Sequence, residues 1–242
     1  MNVLVTAGNT QAPIDEVRCI TNIFSGRTGA SIALVAAGRG HRVTLLTSQP
    51  EAVSQLVAAA GIASDRLQVV TYRTYDDLRS EMEKQLRQGH FEAVIHAAAV
   101  SDFAVAGAYI PSPGSRFEPA SGHWSPAATL QNAESGKITS QHTELWLRLT
   151  PTLKIVDQLR STWGFAGLLV KFKLEVGLNE TQLAAVAERS RCQSQADLMV
   201  ANTLEGKDVW ALLGPVHGAY QKIERRDLGE RLLIALEDRA GH

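Results

Sequence analysis

Short apolar runs alternate with longer amphipathic segments along most of the chain. The runs are continuous instead of strictly alternating, which is typical of parallel strands that are buried on both faces of a sheet. They predict strands at 2–7, 42–47, 67–72, 93–98, 168–172 and 197–202. The segments between them predict helices near 28–39, 51–60, 75–88, 151–162 and 179–194. This repeated strand–helix order predicts an α/β fold built on a Rossmann-like, doubly wound and mostly parallel sheet.

One segment interrupts this alternation of predicted strands and helices. Residues 104–136 combine several prolines with many Gly, Ser and Ala residues, and they show little periodicity. The stretch 144–150 then alternates between apolar and polar residues, as in a strand with one exposed face. We therefore interpret 104–150 as a flap or arm that leaves the main sheet, with a disordered surface insertion as the alternative. The C-terminal part predicts a hairpin near 215–218 and a last helix near 226–239.

The length of 242 residues suits a single globular domain that covers 1–242. A net charge of −1 without a Lys/Arg run argues against a nucleic-acid partner. Two cysteines are too few for a disulfide framework. The seven histidines do not have the spacing of metal ligands, so we expect no metal site built by the protein alone. No apolar run approaches the ~20 residues of a membrane helix, and no signal peptide is visible. The sequence therefore predicts a cytoplasmic protein without a membrane contact.

Two glycine-containing segments carry the first chemical signal. The first strand ends in TAGNT (6–10), where small residues let the backbone approach a ligand at the carboxyl edge of the sheet. The residues Ser25, Gly26 and Arg27 stand where the next helix begins. The N–H groups and dipole of a helix N-terminus attract anions, and Arg27 adds a guanidinium that suits phosphate. An ordinary helix cap is the alternative, but the two segments together favour a phosphate site.

Common dinucleotide and mononucleotide patterns do not fit these segments. No G-x-G-x-x-G turn follows the first strand, and the second strand ends in LLTSQP (45–50) without an acid for an adenosine ribose. No tyrosine has a lysine four residues further on, as a short-chain reductase needs, and the Walker lysine pattern is absent. A nucleoside triphosphate held by an unusual loop is therefore favoured, with an NAD(P)-dependent Rossmann-type reductase as a rival.

Several blocks of sequence follow one another in an order and spacing that resemble a known family. They are VLVTAGNTQAPIDEVRCITNIFSGRTGA (3–30), IHAAAVSDF (95–103), GKITS (136–140) with LRLTPTLKIVDQL (147–159), LVKFKLE (169–175) and ADLMVANTLE (196–205). Together they resemble the phosphopantothenoylcysteine synthetases over roughly residues 2–205. The chain has no room for the flavin-dependent decarboxylase domain that is fused to many bacterial members. The resemblance therefore indicates a stand-alone synthetase.

The resemblance implies a role for each matched residue. Asn22 would lie against the activated carboxyl group, where its amide can donate to a developing oxyanion. Lys137 matches the first lysine of a mobile flap, and Lys173 is a candidate cationic partner for phosphate groups. Phe172 would lie beside the nucleotide base, with an ordinary core position as the alternative. The full set of expected nucleotide or substrate contacts is Gly8, Asn9, Thr10, Ser25, Gly26, Arg27, Ala98, Ala99, Asp102, Phe172 and Asn202.

A few positions depart from the family pattern. Asn9 replaces a frequent glycine, which we expect to be tolerated because asparagine also reaches left-handed backbone angles. Lys171 occupies the usual glycine position before Phe172, where a long side chain could intrude on the nucleotide pocket. The other departures are Phe24 for a common serine, Arg27 for lysine and Thr139 for a second flap lysine.

The resemblance implies a two-step ligase reaction in coenzyme A biosynthesis. The carboxylate of 4′-phosphopantothenate attacks the α-phosphate of CTP or ATP, and the amine of L-cysteine then attacks the acyl nucleotide. Mg²⁺ would arrive with the nucleotide, and the pattern leans to CTP without deciding against ATP. A homodimer, with the flap region reaching towards the neighbour, is also implied. A divergent or inactive nucleotide-binding relative, its site spoiled by Lys171 and Thr139, remains the second alternative.

Overall fold

The computed structural model describes residues 1–60, 64–127, 129–133 and 136–241. Its strands are β1 (Asn2–Ala7), β2 (Gln11–Pro13), β3 (Cys19–Thr21), β4 (Arg42–Thr47), β5 (Leu67–Thr71), β6 (Ala93–His96), β7 (Phe103–Pro111), β8 (Arg116–Glu118), β9 (His123–Ser125), β10 (Leu130–Asn132), β11 (Trp146–Pro151), β12 (Leu168–Glu175), β13 (Leu198–Thr203), β14 (Trp210–Val216) and β15 (Ala219–Glu224). Its α-helices are α1 (Arg27–Gly38), α2 (Pro50–Ala60), α3 (Tyr75–Gln88), α4 (Ile155–Ser161), α5 (Glu180–Gln193) and α6 (Leu228–Ala240). Short 3-10 helices cover Ser64–Arg66 and Arg225–Asp227.

The chain divides into two compact units. The first unit comprises Met1–Thr10, Ile23–Ala99 and Lys154–His242. The second unit comprises Gln11–Asn22 and Val100–Leu153, so the segment 104–150 that the sequence separates from the main sheet lies in it. The interpretation of 1–242 as one domain stays a prediction.

The first unit is built on an eight-stranded sheet in the order β15-β14-β13-β12-β6-β1-β4-β5. The strands from β13 to β5 are parallel, and β14 and β15 are antiparallel. The parallel strands therefore follow the doubly wound order in which the chain starts in the middle and fills first one side, then the other. This arrangement confirms the predicted Rossmann-like α/β fold, and it places the ligand crevice at the carboxyl ends of β1 and β6.

Small apolar residues let α1 pack closely on this sheet. Ile32 and Ala33 of α1 share one buried cluster with Val5 of β1 and with Leu232 and Leu236 of α6. Because side chains three and four residues apart share a helix face, the pattern ASIALVAAG produces one continuous apolar face on α1. The helix is thus fixed with its N-terminus at the carboxyl end of β1.

Most element predictions agree with the structure, and the differences have local causes. The predicted strands 2–7 and 42–47 and the helix 75–88 have the observed bounds. The helix predicted for 151–162 begins only at Ile155, because Pro151 still pairs with Phe103 as the last residue of β11. Strand β12 runs to Glu175 instead of ending at residue 172, because β13 continues beside it through Thr203.

The second unit corrects the expectation of an irregular arm. It contains an antiparallel sheet in the order β10-β7-β11 and two hairpins, β2–β3 and β8–β9. Many residues of these strands are exposed, so the sequence lacks the apolar periodicity that marks a half-buried strand. Side-chain packing supports the hairpin β8–β9, where the rings of Phe117, Trp124 and Trp146 lie 4.8–5.4 Å apart.

Candidate active site

The turn after β1 is tied to the turn after β4. Gly8 has a left-handed φ of 89°, and a Cβ atom there would lie 2.2 Å from the Ser48 hydroxyl. That hydroxyl accepts a hydrogen bond from the Asn9 backbone N–H at 2.9 Å. Only glycine combines this backbone angle with so close a neighbour, which explains why the sequence has a glycine at this point.

The structure corrects the reason given for Asn9. Among the described residues, the non-glycine positions with positive φ are Gln195 and His217, so Asn9 does not use a left-handed backbone. Its buried side-chain Oδ1 instead accepts hydrogen bonds from Ser48 Oγ and Gln49 Nε2, each at 3.1 Å. Asn9 therefore fastens the two turns together through its side chain.

The same turn is hydrogen-bonded to the end of β6. Ala99 N–H donates to Gly8 C=O at 2.8 Å, and Thr10 N–H donates to Ala99 C=O at 3.2 Å. Ala98 N–H donates to the Thr6 hydroxyl at 3.1 Å. The structure thus brings together two sets of predicted ligand contacts, Gly8 to Thr10 and Ala98 to Ala99, at the carboxyl edge of the sheet.

The N-terminus of α1 approaches this edge. Gly26 is the N-cap residue with φ 71°, and a Cβ atom there would lie 2.8 Å from the Gly8 backbone nitrogen. Gly29, one turn further on, is packed against Thr6 and Ala7 in the same way. The first turn of α1 has no acidic residue and Gly26 offers no side chain to cap it, so its N–H groups and dipole give positive potential beside the turn of β1.

Two arginines add positive charge at this helix end. Arg27 is the first residue of α1, and its side chain is exposed, as is that of Ser25. Arg225 is half-buried, and its guanidinium donates a hydrogen bond to the Thr28 hydroxyl. Burial lowers the pKa of Arg225 from its ordinary value. Arg225 was not predicted as a site residue, because it lies almost two hundred residues from Thr28 and belongs to none of the matched blocks.

Strands β12 and β13 carry three more predicted site residues beyond the end of β6. Lys173 pairs in register with Ala201, and Leu174 pairs with Asn202. The Lys173 ammonium lies 3.0 Å from Glu175 Oε1, so its charge is shared with a neighbouring carboxylate. Phe172 packs against the main hydrophobic cluster of the first unit. This contact agrees with the alternative of an ordinary core position, and a contact of Phe172 with the nucleotide base stays a prediction.

Lys171 is bound by the protein itself. Its ammonium donates to Ser194 Oγ at 2.6 Å and to the Ser190 carbonyl at 3.1 Å, both at the C-terminal end of α5. Ser194 in turn donates to Asp157 at 2.5 Å. Burial lowers the pKa of Lys171, and the Asp157 carboxylate opposes that shift. The structure therefore directs the Lys171 side chain towards the C-terminal end of α5.

The remaining predicted residues belong to the second unit. Asn22 is half-buried, and its amide nitrogen lies 3.5 Å from the Val100 carbonyl. Asp102 is exposed, and its backbone carbonyl accepts a hydrogen bond from Thr152 N–H at 2.9 Å. Lys137 is exposed as well, on the segment between β10 and β11. The roles of these side chains in the reaction stay predictions.

The carboxyl edge of the sheet in the first unit is suited to binding phosphate groups. It combines a left-handed glycine turn, a helix N-terminus and arginine side chains, the usual components of an anion site. In the part of the chain that the structure covers, no group of three or more His, Cys, Asp and Glu side chains could hold a metal ion. None of the described helices is long and apolar enough to cross a membrane.

Comparisons with known proteins show which families and folds this chain resembles. Residues 1–109 match the family model of the DNA/pantothenate metabolism flavoprotein C-terminal domain. The chain is 31% identical over 240 residues to the coenzyme A biosynthesis bifunctional protein CoaBC of Thermococcus kodakarensis, which covers 97% of this chain and 50% of that protein. The crystal structure of the DNA/pantothenate metabolism flavoprotein from Streptococcus pneumoniae is 27% identical with a TM-score of 0.78, and the match covers 100% of both chains.

A structure of a Cab2 mutant in complex with phosphopantothenate-cysteine shares the fold, with a TM-score of 0.69 at 18% identity over 98% of this chain and 85% of that one. The first 109 residues match a domain of the DNA/pantothenate metabolism flavoprotein type. With the match over nearly the whole chain, they confirm the family recognised in the sequence, the phosphopantothenoylcysteine synthetases. The chain spans about half the length of the Thermococcus relative.

Proposed function

We propose that the protein is a phosphopantothenate–cysteine ligase, which joins 4′-phosphopantothenate to L-cysteine through an acyl nucleotide. The observation that carries the proposal is the anion site at the carboxyl edge of β1, where Gly8 and Gly26 bring a helix N-terminus against a glycine turn. The family match covers this whole region. A nicotinamide-dependent reductase is not favoured, because the Thermococcus relative that matches nearly the whole chain acts in coenzyme A biosynthesis by name.

The reaction needs a phosphate site because a free carboxylate is a poor acyl donor. In the first step a carboxylate oxygen of phosphopantothenate bonds to the α-phosphorus of the nucleotide, and the bond from that phosphorus to pyrophosphate breaks. In the second step the cysteine nitrogen bonds to the acyl carbon, loses a proton, and the nucleoside monophosphate leaves. The protein contributes position and charge to both steps and forms no covalent bond.

The predicted residues, together with Arg225, divide between the tasks of supplying charge and of positioning the reacting groups. The α1 N-terminus, Arg27 and Arg225 suit the phosphate groups of the nucleotide, since each presents N–H donors or positive charge at the same edge. Asn22 would donate its amide to the oxygen that becomes negative when the acyl carbon is attacked. Lys137 and Lys173 would offset negative charge on phosphate groups, although Lys173 first has to leave or share its contact with Glu175.

CTP or ATP is the proposed co-substrate, with CTP favoured, and Mg²⁺ is proposed to enter bound to its phosphates. Mg²⁺ usually keeps several water ligands and binds enzymes through substrate phosphates, so a cage of carboxylates is not required. Metal supplied with the nucleotide would neutralise phosphate charge. The cytoplasmic location remains a prediction.

Pyrophosphate release tests the proposal. The purified chain is incubated with Mg²⁺, phosphopantothenate and either CTP or ATP, with and without cysteine. We expect release to require phosphopantothenate, and sustained turnover to require cysteine. The nucleotide that supports release identifies the co-substrate. If neither nucleotide releases pyrophosphate although one of them binds, the protein is a non-catalytic relative and the proposed ligase activity is wrong.

A further inference from the structure

A row of polar side chains crosses β1, β6 and β12 on one face of the sheet, near the carboxyl ends of β1 and β6. Thr6 pairs in register with His96, and His96 pairs in register with Lys171. Residues paired in this way on neighbouring parallel strands share a face of the sheet. Thr6 is 0% exposed and His96 is 7% exposed. Polar groups buried this deeply need hydrogen-bond partners inside the protein.

The Thr6 hydroxyl has two such partners. Ala98 N–H donates to Thr6 Oγ1 at 3.1 Å, and His96 Nδ1 lies 2.9 Å from the same oxygen. Because the Ala98 N–H can only donate, the hydroxyl oxygen accepts there, and its own hydrogen is left for Nδ1. A hydrogen on Nδ1 would instead leave the buried hydroxyl hydrogen without an acceptor among the described residues. The contacts therefore favour the tautomer of His96 with its hydrogen on Nε2.

The surroundings of His96 keep its imidazole neutral, as this tautomer requires. Burial lowers the pKa of His96 to about 4, and the positive charge of Lys171 adds to the shift. The Lys171 ammonium is held nearby by the Ser190 carbonyl and the Ser194 hydroxyl. The lysine that departs from the glycine of the family pattern thus places a charge that opposes protonation of His96. At neutral pH His96 Nδ1 can accept the hydrogen of the Thr6 hydroxyl.

The Ala98 backbone leads directly to the candidate phosphate site. The next residue, Ala99, donates its N–H to the Gly8 carbonyl at 2.8 Å, and its own carbonyl accepts from Thr10 N–H at 3.2 Å. All of these residues belong to the first compact unit. The position of the Ala98 backbone therefore influences the glycine turn on which the anion site is built.

We infer that His96 is a positioning residue of the nucleotide site, which orients the Thr6 hydroxyl so that this hydroxyl fixes the Ala98 backbone beside the glycine turn. The inference rests on the proposed function, in which this edge of the sheet binds the phosphate groups of the nucleotide. His96 acts through Thr6 and needs no contact with the nucleotide. Without an acceptor at Nδ1 the Thr6 hydroxyl has no fixed orientation, and the Ala98 N–H loses a fixed acceptor.

Hydrogen exchange of the Ala98 amide, measured by NMR on the ligand-free protein, tests this contact. Thr6→Val removes the hydroxyl at nearly constant shape, and His96→Leu removes the acceptor at Nδ1. Each should speed exchange of the Ala98 N–H about tenfold. His96→Asn offers an amide oxygen near the position of Nδ1, so exchange should stay within about threefold of the wild type. Thr44→Val is the matched control, because Thr44 is also buried in the sheet but lies on β4, and it should leave this rate unchanged.

Nucleotide titration of the same variants tests the consequence for binding. With CTP or ATP and Mg²⁺, Thr6→Val and His96→Leu should each raise Kd about tenfold, whereas His96→Asn should raise it no more than about threefold. Because His96 acts through Thr6, the variant with both Thr6→Val and His96→Leu should bind about as weakly as Thr6→Val alone. The inference is overturned if His96→Leu leaves either Kd or the Ala98 exchange rate unchanged, or if the effects of the two substitutions multiply.

The tautomer of His96 supplies a readout that needs neither nucleotide nor turnover. Nitrogen NMR of the imidazole at pH 7 should show a neutral ring with its hydrogen on Nε2. A hydrogen on Nδ1 would contradict the proposed orientation of the Thr6 hydroxyl. If the wild type binds nucleotide but releases no pyrophosphate, the proposed ligase activity fails, while the series of Kd values still decides the inference. A wild type that binds neither nucleotide would overturn the role of His96 in the nucleotide site.

Discussion

Gly26 stands where the loop after Asn22 becomes helix α1, and it lacks the side chain that would keep this helix away from β1. Its φ of 71° lies in the left-handed region, and its Cα lies close enough to Gly8 that an added Cβ would come within 2.8 Å of the Gly8 nitrogen. Both features are needed for the helix N-terminus to reach the carboxyl edge of the sheet. The candidate phosphate site therefore depends on a residue that makes no side-chain contact at all.

Gly26→Ala is expected to lower the free energy of unfolding by about 3 kcal/mol. An alanine in the left-handed region costs about 1–2 kcal/mol, and forcing a methyl group against packed backbone costs about 1–3 kcal/mol more. Gly177→Ala isolates the first effect, because Gly177 has φ 70° and nothing lies within 4 Å of its added Cβ. Urea unfolding of both variants measures the difference, and nucleotide titration should show weaker binding for Gly26→Ala. Equal destabilisation of the two variants would contradict the close approach of α1 to Gly8.

Single residues of the site differ in how far the sequence could predict them. Gly8 and Gly26 could be predicted from the residues themselves, because close backbone approach at strand and helix ends demands small residues, whereas Ala98 and Ala99 were expected only from the family resemblance. The reason expected for tolerating Asn9 in place of glycine, a left-handed backbone, was wrong, and its actual partners Ser48 and Gln49 lie about forty positions away. The contact of Arg225 with Thr28 was not predictable for the same reason: distant partners leave no local pattern.

At the scale of elements, the helices and strands differ in how well the sequence predicts them, and the apolar pattern of a central strand does not reveal the polar groups buried in it. Helix α3 has the predicted bounds because Thr74 and Asp77 form a capping box at its start. Strands β7 to β10 were not predicted, because exposure of so many of their side chains removes the alternation that identifies a strand. Strand β6 was predicted, yet it ends in a buried histidine, His96, which hydrogen-bonds to the Thr6 hydroxyl at 2.9 Å.

Acid should destabilise the first unit through His96. Burial lowers the pKa of His96 from 6.5 to about 4, and the nearby Lys171 charge adds to this shift. The unfolded chain therefore binds a proton below pH 6.5 that the folded chain does not take up until about pH 4. This contribution to stability is complete above pH 6.5 and is lost as the pH falls towards 4. Between pH 7.5 and 5 we expect a loss of about 2 kcal/mol from this group.

Urea unfolding of the wild type and of His96→Gln across this pH range measures the contribution. The variant cannot titrate at position 96, so its free energy of unfolding should fall less steeply between pH 7.5 and 5. The difference between the two slopes isolates His96 from the other acid-sensitive groups. Parallel slopes would show that His96 is not held in its neutral form in the folded protein.

At the scale of the whole molecule, the second unit presents an apolar sheet face that suits the homodimer implied by the family resemblance. Phe103 pairs directly with Pro151, and Val105 pairs with Leu149 on the neighbouring strand. Directly paired residues of an antiparallel sheet point to the same face. Phe103 is 50% exposed and Leu149 is 43% exposed. A second copy of the chain would cover such a face by the same patch on both protomers.

Leu149→Glu is expected to weaken this self-association, because it places a charge at the centre of an interface that would have to bury it. Sedimentation of the wild type should give twice the chain mass of 26.2 kDa, and the variant should move towards the single-chain mass at equal concentration. Ile234→Glu on α6 is the matched control, since Ile234 is 41% exposed but lies in the first unit. A wild type that sediments as a single chain, or equal dissociation of both variants, would contradict an interface at this face. If the dimer forms there, loss of pyrophosphate release in Leu149→Glu alone would show that the ligase reaction needs two copies.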